Sequence, residues 1–92
     1  METIQQIPLR IIKEQETVIG PLAWEEAEKV PGLVVDPSHN SVSVVGDGKE
    51  VVNRLVSQYE KIFGRASHAV CHDAVQDLLA EMPPEEVPSS LR

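Results

Sequence analysis

His68, Cys71 and His72 form the densest group of reactive side chains in the sequence, two of its three histidines bracketing its single cysteine within "HAVCHDAV". Imidazoles at i and i+4 of a helix, with a thiolate between them, can reach one ion of the Zn²⁺ type. The spacing therefore allows a metal-responsive site, with His39 or Asp73 as a fourth ligand. It departs from the zincin pattern, where Ala69 stands in place of the glutamate that acts as general base. It departs also from double haem attachment, which needs a thiol where His68 stands. The opposing reading is core packing. With about 100° per residue and Cys71 as origin, Leu78, Met82, Val75 and Leu79 fall between about −20° and +80°, so Cys71 lies inside the apolar stripe. His68 and His72, at about +60° and +100°, lie toward its margin. Packing is the preferred reading, with no cofactor, and zinc on His68, Cys71 and His72 is the alternative.

Other chemistry is thinner. "VVGDGKEVV" resembles the opening of a phosphate-binding loop for five residues, then places Val51 where a Walker A loop or a dinucleotide fingerprint requires glycine. A turn entering a capped helix is the simpler expectation, with Asp47 as cap and Glu50 closing a capping box. His39 lies in "PSHN", a turn sequence that offers it no local partner as a base. No Gly-x-Ser-x-Gly elbow and no pair of carboxylates in an apolar run suggest hydrolysis or acid catalysis, so no catalytic residue is assigned.

Charge narrows the partners. Eight Lys and Arg against fifteen Asp and Glu leave a net charge of −7, which repels phosphate backbones and anionic lipid. Nucleic acid and membrane are therefore not expected. With 41% hydrophobic and 25% charged residues, the composition is that of a folded domain. One cysteine makes no internal disulfide, and "METIQQIPLR" lacks the pattern of a signal peptide, which points to the cytoplasm.

The elements that must position these residues follow from pattern. "LRII" after Pro8 predicts a first strand over about Ile7 to Glu14. "PLAWEEAEKV" predicts a helix opened by Pro21 and ended by Pro31 and Gly32. "LVVDPSHNSVSVV" predicts a hairpin whose second arm alternates Val42 and Val44 with Ser41 and Ser43. Apolar residues from Val51 to Phe63 recur at helical spacing, and a last helix, capped by Ser67, is expected to run to about Met82. Residues 83–92 are acidic and proline-rich, and read as a flexible tail.

The expected fold is α+β, a small two-layer sandwich in the order β-α-β-β-α-α, with helices on one face of a short mixed sheet over a single domain, residues 1–82. A short sheet leaves edges to pair or cover. The expected function is a non-catalytic regulatory or adaptor module that works by protein-protein contact, as a homodimer or on another protein. Trp24, Tyr59 and Phe63, the only aromatics, are the expected contact residues.

Overall fold

The computed structural model describes residues 3–91. Their elements run α1 (Thr3–Ile19), α2 (Leu22–Glu28), β1 (Leu33–Asp36), β2 (Ser41–Val44), α3 (Gly48–Phe63) and α4 (Ala66–Leu79), with short 3₁₀ turns at Pro37–His39, Pro84–Glu86 and Ser89–Leu91. The fold is α+β, helices with one antiparallel pair of strands. The order is α-α-β-β-α-α rather than β-α-β-β-α-α, and the sheet is antiparallel rather than mixed.

The difference lies in α1, where a strand was expected over about Ile7 to Glu14. Ile4, Ile7, Ile11, Ile12, Gln15 and Ile19 follow one another at steps that keep one helical face, and Ile7, Ile11 and Ile12 are fully buried there. Pro8 sits inside this helix. Its missing N–H and its ring cost about 3 kcal/mol in a helix interior. Burying three isoleucines returns about 1.5–3 kcal/mol each, so packing outweighs the proline. α1 lies against the other three helices, and Arg10 bonds Asp77 to tie it to α4.

The remaining helices stand where the apolar spacing puts them, with different ends. Asp47 caps α3 by accepting the Lys49 N–H at 3.0 Å. Glu50 does not close a capping box; its Oε1 accepts from Arg54 at 3.2 Å. Ser67 does not cap α4: it is buried within the first turn, and Arg65 holds the cap position without a side-chain bond.

In the hairpin, Leu33 faces Val44, Val34 faces Ser43, Val35 faces Val42 and Asp36 faces Ser41. Asn40 supplies the left-handed residue of the connection, with φ 49° and ψ 44°. Gly32 precedes β1 at φ +87°, and a Cβ there would stand 2.7 Å from Val51 Cγ2. Only glycine lets the hairpin leave α2 this close to α3. Leu33, Val35, Val42 and Val44 join the core shared by the helices. Val34, Ser41 and Ser43 face outward and are exposed.

Residues 83–92 were expected to form a flexible tail outside the fold. At Ser89–Leu91 the chain lies on α3 and α4, with Leu91 1% exposed; Arg92, like Met1 and Glu2 of the expected 1–82 domain, falls outside the described residues.

Candidate functional site

α4 splits the His-Cys-His group. Cys71 is fully buried, and its Sγ accepts from Gln15 Nε2 of α1 at 3.3 Å. Burial pushes its thiol up to about 11; the Gln15 bond offsets part of this rise, and the charge of Glu60 adds to it. The thiolate that a metal or an electrophile would need is thus disfavoured at neutral pH. His68 turns toward α3, where its Nδ1 lies 3.1 Å from Glu60 Oε2. His72 Nδ1 is 3.8 Å from Asp73 Oδ1. The two histidines border an open cleft with Glu60, Arg65 and Asp73, while the thiol points into the core. Among the described residues, no three His, Cys, Asp or Glu side chains converge as metal ligands.

The aromatic residues expected at a contact surface serve the inside of the chain. Tyr59 is fully buried and donates from its hydroxyl to the Ala23 carbonyl at 2.6 Å, locking α3 to α2. Burial first, then the charges of Cys71 and Glu26, raises its pKa. Trp24 is buried and donates from Nε1 to Glu16 Oε2 at 2.9 Å. Phe63 is half-buried at the end of α3, packed against the core. Trp24 and Tyr59 therefore have little surface to give a partner.

His39 does have a local partner, which the turn geometry creates. Its Nδ1 lies 2.7 Å from Asp36 Oδ2 and 3.2 Å from Ser38 Oγ, and that hydroxyl donates to Asp36 Oδ1 at 2.7 Å. The bonds from Ser38 and then His39 hold the Asp36 carboxyl below its ordinary range. Asp, Ser and His meet, but both partners share one ring nitrogen. A nucleophile relay needs the carboxylate on one nitrogen and the hydroxyl on the other. The group closes the hairpin turn.

Two surfaces remain that sequence reasoning did not single out. The first is the outer side of the hairpin. Val34 and Val45 are 58% and 62% exposed. The Val45 N–H bonds the Gly32 carbonyl at 2.8 Å, which makes Gly32 and Val45, Val34 and Ser43, and Asp36 and Ser41 the bonded pairs. Val34, Ser43 and Val45 consequently share the outer face. Along the edges, Val44 N–H turns outward to Gln5 Oε1 at 3.4 Å. The Val35 N–H turns outward from β1 and has no hydrogen-bond partner among the described residues. Residues 32–46 carry one carboxylate and no Lys, Arg or Glu, although edges are commonly guarded by charge. The period of two in "SVSVV", extended through the pairing, was the signal that could have found this face.

The second is the seat of the C-terminal segment. Asn53 Oδ1 on α3 accepts the Ser90 N–H at 3.0 Å and the Ser90 hydroxyl at 2.6 Å. Leu91 belongs to the core shared by the helices, Pro88 is buried beside it, and Lys49 Nζ donates to the Glu85 carbonyl at 3.0 Å just upstream. Compared with known proteins, the chain matches no family model, no curated protein and no solved structure.

Proposed function

We propose that this chain is a small, non-catalytic regulatory or adaptor module that acts through protein-protein contact, and that its contact surface is the outer face and free edge of the hairpin. A second copy is the simplest occupant, because two short antiparallel edges of the same sequence are complementary under twofold symmetry. The observation that carries this reading is the pair of exposed valines, Val34 and Val45, on one face of a hairpin with a single charged side chain between Gly32 and Gly46. Its working compartment in this reading is the reducing cytoplasm, in keeping with the free, buried Cys71. Among the described residues, no helix is long and apolar enough to cross a membrane.

Size sets the strength. A stable interface takes about 800 Å² from each partner. Two four-residue strands present a face of roughly 14 by 10 Å. Such a contact is weak, and self-association belongs at high protein concentration. Sedimentation equilibrium of the full chain tests this: it should show a reversible monomer-dimer equilibrium, with Val34→Lys strictly monomeric. Val34 is exposed, so this change should alter folding stability by less than about 0.5 kcal/mol. A monomeric mass for the unsubstituted chain at millimolar concentration would remove the homodimer, and an unaltered dimer in Val34→Lys would remove the hairpin.

A further inference from the structure

With Cys71 turned into the core, the two histidines of α4 remain as a pair in matching surroundings. His68 and His72 stand one turn apart on one side of the helix, where residues at i and i+4 have Cβ atoms about 5–6 Å apart. Their side chains are 42% and 37% exposed, and both border the open cleft of about 460 Å³ that Glu60, Arg65 and Asp73 also line. Each ring turns the same nitrogen to a carboxylate. His68 Nδ1 is 3.1 Å from Glu60 Oε2 on α3, and His72 Nδ1 is 3.8 Å from Asp73 Oδ1. A proton held on Nδ1 leaves the lone pair on Nε2 as the acceptor, and among the described residues neither Nε2 has a hydrogen-bond partner. A carboxylate behind one ring nitrogen is the usual environment of a histidine that ligates a metal through the other.

We infer that His68 and His72 form a two-imidazole chelate for a divalent transition-metal ion such as Zn²⁺, ligating through both Nε2 atoms and oriented by Glu60 and Asp73. Imidazole suits these ions, and one helical turn is the spacing at which two rings share one. Glu60 and Asp73 outnumber Arg65 at the cleft, and the net charge of −7 favours a cation. Among the described residues no set of three side chains converges as metal ligands, so water completes the coordination and the ion is bound reversibly. His39 supplies the contrast, because it too has a carboxylate on Nδ1 but no second histidine one turn away. This inference is independent of the hairpin contact.

The test is isothermal titration of the full, untagged chain with zinc chloride. The unsubstituted chain should bind zinc, and His68→Ala and His72→Ala should each weaken binding about tenfold or more. Glu60→Gln should weaken it about 10–100-fold, the usual cost of removing the carboxylate behind a ligating histidine. His39→Ala and Cys71→Ala should leave the affinity unchanged. His68→Ala also removes a bond between α3 and α4, whereas among the described residues His72 bonds no other element, so His72→Ala separates a lost ligand from a lost fold. Absence of zinc binding, or an affinity that survives His72→Ala, overturns the inference. Equal losses in His39→Ala and His72→Ala would show unspecific binding by surface histidines and overturn it too. Cobalt provides the second readout: a thiolate charge-transfer band in the absorption of the Co²⁺-loaded chain would bring Cys71 into the site and overturn the two-imidazole chelate.

Discussion

The Cys71 thiol keeps its proton because burial denies the thiolate its water, and that ties the stability of the molecule to alkaline pH. Its folded-state value of about 11 stands above the ordinary 9.0. Below pH 9 both folded and unfolded states hold the proton, and the full stability is present. Between about 9 and 11 the unfolded chain loses it first, so stability falls as pH rises. Tyr59, raised by its own burial from the ordinary 10.0, adds a later loss. Melting temperature should therefore fall from about pH 9 upward. In Cys71→Ala the fall should begin about one pH unit later, from Tyr59 alone. Identical profiles for the two proteins would detach the pH dependence from this residue. The place of Cys71 on the buried stripe was legible in the sequence, because Val75 and Leu78 share its helix and its face. The partners of the flanking histidine and of the thiol were not. Glu60 and Gln15 belong to other helices, and no spacing along α4 points to them.

At the scale of elements, the largest misreading is α1, and the reason is physical. "LRII" after a proline has the local preferences of a strand, whereas the helical pattern is carried by residues spread from Ile4 to Ile19 and interrupted by polar Gln15. That glutamine is buried because its amide reaches the Ser67 carbonyl at 3.2 Å as well as the Cys71 sulfur. Its polarity marks a contact between helices, which the sequence alone presents as a gap in the stripe. The two readings separate experimentally. In the helix, Ile11 is fully buried and Val18 is 64% exposed. Urea unfolding should show Ile11→Ala costing about 2–5 kcal/mol and Val18→Ala less than about 0.5 kcal/mol. Comparable losses at both positions would count against the packing of α1. The hairpin and the helices α3 and α4 were legible for the opposite reason, since their signals are complete within each segment: turn residues between two β-prone runs, and apolar residues at steps of three and four.

For the whole molecule, the class of fold was readable and the extent of the sheet was not. Replacing the first strand by α1 leaves two strands rather than three, so the question of what covers the edges becomes sharper. Each copy carries a net charge of −7, and two copies repel at any approach. Salt shortens the range of that repulsion, from about 10 Å at 0.1 M to about 3 Å at 1 M. The hairpin contains no Lys or Arg that could form an ion pair across a contact, so screening removes repulsion without removing attraction. Self-association through the hairpin should strengthen several-fold between 20 mM and 500 mM sodium chloride, as read by sedimentation equilibrium. The competing surface is the side of α3 where Lys61 and Arg54, the latter already paired with Glu50, border an open cleft with Ser57 and Gln58. A contact there would set these cations against carboxylates of the other copy, and salt would weaken it. The sign of the salt dependence therefore chooses between the two faces, and a dissociation constant that rises with salt places the contact on α3.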